Sequence, residues 1–100
     1  MAGELMSTAG ESQVRHEPGR FRFVIHVEGH EAVLEYRLAA GTMAILHTGV
    51  PEPIGGRGIA GQLTAAALAT ARANGWKVRP ECSYAEAYFR RHPEQRDLLA

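Results

Sequence analysis

The sequence predicts an α+β domain: an antiparallel β-meander, then a single βαβ unit, then a C-terminal helix. Three observations support it. Residues 20–27, 31–38 and 43–50 carry strand-like patterns separated by short turn segments. From Gly58 the apolar spacing becomes helical. A short segment containing Val78 then ends at Pro80, leaving room for one more strand and one more helix.

In residues 20–27, Phe21, Phe23, Ile25 and Val27 alternate with Arg20, Arg22 and His26, and Val24 is the exception. That is the period of a half-buried strand. A turn at Glu28-Gly29-His30 leads into residues 31–38, where Ala32, Leu34, Tyr36 and Leu38 share one face and Glu31, Val33, Glu35 and Arg37 the other. Ala39 to Thr42 turn the chain into residues 43–50, and strands joined by such short links pair antiparallel. Residues 1–19 are small and polar without apolar period, so a flexible N-terminal arm is expected there, with the folded domain spanning 20–100.

Ile59, Leu63, Ala66, Ala67 and Thr70 mark a helix of about four turns, and Asn74-Gly75 supplies its left-handed stop. Residues 76–80 then pair parallel to the third strand through a right-handed crossover. Ser83 followed by Glu86 reads as a capping box, so the second helix is expected over 84–91, stopping before Pro93 with Cys82 just outside it. The order is β-β-β-α-β-α.

Bulk composition limits the function. With 45% apolar and 22% charged residues, the 100-residue chain is an ordinary globular domain with one core. Eleven basic residues balance eleven acidic ones, so no global field steers it to nucleic acid or an anionic membrane. Cys82 is the single cysteine, which excludes an intrachain disulfide and removes the usual thiol set of a structural zinc site. His26 and His30 have an H-x-x-x-H spacing but no third ligand near in sequence, so no metal site is expected. No segment approaches the length of a membrane span, and a cytoplasmic location is the expectation.

The stretch VPEPIGGRGIAGQL, residues 50–63, is the densest signal. Gly56-Arg57-Gly58-Ile59-Ala60-Gly61 matches the glycine spacing of a dinucleotide fingerprint, yet the preceding strands are antiparallel and Pro51 to Gly55 intervene. No Lys-Ser or Lys-Thr follows, so a nucleoside-triphosphate loop is excluded. Glycines let several backbone N–H groups face one point at a helix start, and that suits a pyrophosphate. A tight strand-to-helix turn is the structural alternative.

Strand, loop and helix together resemble the GNAT superfamily of N-acetyltransferases, with Gly55 to Ala60 in the place of the pyrophosphate loop. HTGVP before the loop and ARANGWKVRPECSYAEAYFRRHPE after it look like the small single-domain GNAT-like family, with its Pro-x-Cys-Ser-aromatic and His-Pro-Glu strings. The resemblance spans about residues 20–98 and departs at Gly55, where the superfamily carries Arg or Gln. It implies a minimal GNAT-like fold, acetyl-CoA as cofactor and an amine acceptor, small molecule or protein. It implies that Gly55, Gly56, Arg57, Gly58, Ile59 and Ala60 hold the pyrophosphate. Thr48 and Val50 would line the pantetheine arm where the third strand splays from residues 76–79, with Ser83 and Tyr84 beside the cofactor. Arg57, Arg90 and Arg91 are either charge-assisted partners of CoA phosphates or solvated surface arginines, Arg57 being favoured because the loop fixes its position.

Three residues are candidates for the chemistry. A helix N-terminus favours the thiolate of a nearby thiol, so Cys82 could carry an acetyl group; its alternative is a small buried junction residue. His47 alternates with Met43 and Ile45, shares their face on that pattern, and is either a base for an ammonium acceptor or a structural histidine. Tyr88 follows Tyr84 by one turn and is either the acid for the departing thiolate, as the resemblance implies, or aromatic packing. A non-catalytic CoA-binding or protein-interaction module is the competing reading.

Overall fold

A computed structural model describes residues 13–100. Five strands, β1 (Arg15–Glu17), β2 (Arg22–Val27), β3 (His30–Ala39), β4 (Thr42–Gly49) and β5 (Lys77–Pro80), form one sheet in sequence order. Neighbours pair antiparallel except β4 with β5, which pair parallel around helix α1 (Ile59–Asn74). Helix α2 (Ser83–Arg91) follows β5, and a 3-10 segment, Pro93–Leu98, closes the fold.

Both hairpins turn on two residues with positive φ, Glu28-Gly29 and Ala40-Gly41, which is the turn whose twist matches the flanking strands. Phe23, Ile25, Leu34, Met43, Ile45 and Val78 point from one sheet face onto Leu63, Ala67, Leu68 and Ala71 of α1, all essentially without solvent exposure. Val24, the residue that broke the alternation, is fully buried on the opposite face, where Arg22 pairs with Glu31 and His26 Nε2 lies 3.4 Å from the same carboxylate. Gly75 in the left-handed region lets its own N–H reach Arg72 O and that of Trp76 reach Ala71 O, closing α1. Among the described residues, no helix is long and apolar enough to cross a membrane.

Three expectations need correction. Residues 15–17, expected in a flexible arm, form β1, paired antiparallel with β2; three residues are too few to show a period, and side chains reinforce the pairing. His16 Nε2 lies 2.6 Å from Tyr36 Oη and its ring stacks on Phe23 at 4.2 Å. The rest of the expected arm, residues 1–12, lies outside the described residues. Phe21 is not on the apolar strand face: it takes φ 52° before β2, is 47% exposed and meets Tyr36 edge-on. The cap of α2 is Cys82 rather than Ser83, so the helix begins one residue earlier than expected.

Candidate active site

The site is organised by the end of the parallel pairing. The β4–β5 ladder runs from Thr42↔Lys77 to Ile45↔Pro80 and finishes with Glu81 N–H on Ile45 O at 2.9 Å. Pro80 has no N–H, and the next residues turn into α2, so β4 continues from Leu46 to Gly49 without β5 beside it. One side-chain contact spans the opening: Thr48 Oγ1 and Cys82 Sγ are 3.6 Å apart. The same sulfur accepts the Ala85 N–H at 3.4 Å, so the half-buried thiol of Cys82 is itself the helix cap.

A β-bulge sets which side chains reach this opening. Glu35 pairs with His47 and Tyr36 with Ile45, leaving Leu46 as the extra residue on β4. Past the bulge the alternation inverts. Thr48, opposite Leu34, points to the helix side, whereas His47, opposite Glu35, points to the other face and is exposed. His47 therefore does not share a face with Met43 and Ile45, as simple alternation predicts. Its Nε2 stands 2.9 Å from where a Gly49 side chain would begin, so the ring lies over the Gly49 backbone. Met43 to Leu46 are all apolar, so the sequence marks an interrupted alternation without fixing the residue at which the bulge falls.

The glycine loop leaves β4 through Val50 and a 3-10 turn, Glu52–Ile54, pinned by the fully buried Ile54. Gly55 is extended, its N–H on Glu52 O at 3.0 Å. A Cβ on Gly55 would sit 3.3 Å from that same carbonyl, so a larger residue in this position requires the turn to yield. Gly56 and Gly58 both take φ 76°, the left-handed region that glycine enters without strain. Gly58 caps α1 with no side-chain hydrogen bond, and the first helical bond is Gln62 N–H to Gly58 O. The N–H groups at the start of the helix, Ile59 and Ala60 among them, are left to a ligand or to water.

Arg57 is turned out of the loop: it forms a two-pronged ion pair with Glu28 of the β2–β3 turn, at 2.9 and 3.1 Å. The guanidinium holds the Glu28 carboxyl below its usual range. Tyr84 bridges the helices, its Oη 3.4 Å from the Cβ position of Gly61 in the first turn of α1. Arg91 lies over the Tyr84 ring at 5.7 Å from its centroid. Tyr88 is buried, 6.3 Å from the Tyr84 ring and stacked at 4.2 Å on His92, whose Nδ1 faces Glu94 at 3.2 Å. Burial, then the neighbouring Tyr84 and Glu94, push the Tyr88 hydroxyl above its ordinary value. Ser83 is exposed at the start of α2.

The structure thus gathers Thr48 and Cys82 at the strand opening, and Tyr84 and Arg91 beside the first turn of α1. It separates His47 from them by the thickness of the sheet. Sequence reasoning missed Glu28, because nothing local links a hairpin turn to a loop 29 residues further on. It also missed Gly61 as the contact point of Tyr84.

A glycine loop feeding a helix beside an opened parallel strand pair defines a small α+β class. A family model described as GCN5-related N-acetyl-transferase matches residues 22–98. The chain belongs to that family, whose activity is acetyl transfer. It is similar to the NMR solution structure of a GCN5-like protein from Staphylococcus aureus, at 27% identity and a TM-score of 0.70, covering 87% of this chain and 86% of that one.

Proposed function

We propose that the protein is an acetyl-CoA-dependent N-acetyltransferase that holds the CoA pyrophosphate on Gly55 to Ala60 and passes the acetyl group to an amine through Cys82. The observation that carries this reading is a thiol at a helix N-terminus, 3.6 Å from Thr48 Oγ1, at the point where β4 and β5 part. The residues present fit the cofactor: two left-handed glycines with open space at their Cβ positions, and an α1 N-terminus uncapped by any side chain. Bound acetyl-CoA supplies a thioester.

Cys82 Sγ bonds to the acetyl carbon as the bond to the donor sulfur breaks, and the thiol proton ends on the departing sulfur. One thioester replaces another, so the step is nearly neutral in energy, and the α2 N-terminus stabilises negative charge developing there. Tyr88, its hydroxyl pushed above its ordinary value by burial, keeps its proton at neutral pH and would steady the departing sulfur as a hydrogen-bond donor, while the proton that sulfur gains is the one Cys82 gives up. The acceptor nitrogen then bonds to the acetyl carbon, the Cys82 sulfur leaves, and the nitrogen gives up a proton. His47 stands across the sheet from Cys82, so its proposed role as base requires the amine to reach the acetyl group through the opening between β4 and β5. A direct attack on the donor is the second reading, favoured by the engagement of Cys82 Sγ as a helix cap.

The test is a native mass spectrum with and without acetyl-CoA, followed by the denatured mass of the same sample. A CoA-sized adduct lost on denaturation, with an acetyl mass retained on Cys82, is the expected result. A CoA adduct without retained acetyl points to direct attack. No adduct of either kind overturns the reading in favour of an interaction module.

A further inference from the structure

We propose that Arg91, steadied over the Tyr84 ring, contacts the 3′-phosphate of the adenosine half of CoA and makes the domain discriminate CoA from dephospho-CoA. The proposal rests on the CoA reading above and adds to it a second, separate phosphate contact.

Charge accounting around the loop leads there. Arg57, the cation inside the loop, is already matched by both oxygens of Glu28. Arg91 is exposed, and among the described residues no carboxylate stands within ion-pair distance of it. Its guanidinium nevertheless lies within cation–π range of a ring. From the last turn of α2 it reaches back seven residues to lie over Tyr84. Tyr84 in turn has its hydroxyl against Gly61, three positions after Gly58 in α1. The aromatic ring is thus a spacer with the α1 N-terminus at its hydroxyl and a free cation on its face.

That spacing separates two anion contacts rather than duplicating one. A pyrophosphate on the loop N–H groups is served by backbone donors, and Arg91 stands a tyrosine ring away from the helix that carries them. CoA carries a third phosphate, set apart from its pyrophosphate by the ribose. A cation–π contact limits where a guanidinium moves and leaves its N–H fork free, the group that recognises a phosphate in two-pronged fashion. Lysine lacks that fork, so exchanging the two is not conservative here.

The experiment is a calorimetric titration of the wild-type protein, Arg91→Gln, Arg91→Lys and Tyr84→Leu with CoA and with dephospho-CoA, circular dichroism confirming each fold. The wild-type protein is expected to bind CoA about five- to tenfold more tightly, the modest end for a charge-assisted contact at an exposed site. Arg91→Gln is expected to bind both ligands with the affinity the wild type shows for dephospho-CoA. Arg91→Lys and Tyr84→Leu should retain intermediate preference. Equal wild-type affinity for the two ligands overturns the proposal while leaving the CoA reading intact. An equal loss for both ligands in Arg91→Gln also overturns it, placing Arg91 on the pyrophosphate. Binding of neither ligand by the wild type overturns the CoA reading and this proposal together.

Discussion

Cys82 holds two positions at once, helix cap and strand-gap thiol, and the two are separable by substitution. Serine keeps an acceptor for the Ala85 N–H, whereas alanine removes it, at a cost of about 1 kcal/mol for a lost cap. Cys82→Ser is therefore expected to match the wild type closely in denaturant midpoint, with Cys82→Ala less stable by about that amount. If the acetyl group travels through the sulfur, both variants lose transfer by at least about a hundredfold, as loss of a nucleophile does. Rapid-quench measurement of acetyl transfer checks this, and near wild-type rates in Cys82→Ser would restrict the residue to capping. Gly58 offers a similar separation. Valine at φ 76° is strained in any setting, and a β-branched residue there is a genuine outlier. Gly41 has φ 77° in a hairpin turn remote from the loop. Both Gly58→Val and Gly41→Val should lower stability, but only Gly58→Val should weaken CoA binding, by tenfold or more in titration.

At the scale of elements, the strands and helices that position the site were readable because their periods are long. β3 and α1 declare themselves over ten and sixteen residues. The features that were not readable are single-residue events. One extra residue at Leu46 moved His47 through the sheet, and no count of alternation fixes the residue at which a bulge falls. The glycine loop before α1 and the place of Cys82 at the start of α2 were legible, but the Arg57–Glu28 pair and the Tyr84–Gly61 contact arise only once distant elements pack. β1 escaped for a different reason: it is too short for a pattern, and His16 anchors it alongside its pairing with β2. Burial holds the His16 imidazole below its ordinary value of 6.5. The unfolded chain therefore binds the proton more readily, and the stability that depends on neutral His16 is complete above about pH 6.5 and is lost as pH falls towards the folded value. The Glu17 and Asp97 carboxyls, lowered by Arg22 and Arg72, add losses only below the ordinary carboxylate range. Denaturant midpoints should thus decline as pH falls below about 6.5, and His16→Leu should flatten much of that decline.

At the scale of the molecule, one core supports everything: the face of α1 that buries Leu63, Ala67, Leu68 and Ala71 belongs to the helix whose first turn follows the glycine loop. Core and proposed cofactor site therefore share a single helix, and ligand and mutation should act on the same unfolding equilibrium. Leu63 has no exposed surface, and removing its side chain beyond Cβ is expected to cost about 2–5 kcal/mol. Against a typical total of about 5–15 kcal/mol, that leaves a domain of this size near its limit. A ligand that binds only the folded state restores stability by mass action, about 2.7 kcal/mol at a hundred times its dissociation constant. Leu63→Ala is accordingly expected to melt well below the wild type without CoA, and to recover much of the difference when CoA is added in large excess. Thermal unfolding followed by circular dichroism, at several CoA concentrations, reads both effects in one experiment. A wild-type protein stabilised by CoA alongside a variant that is folded but unresponsive would break the coupling, showing that the loop holds its ligand independently of the helix face behind it.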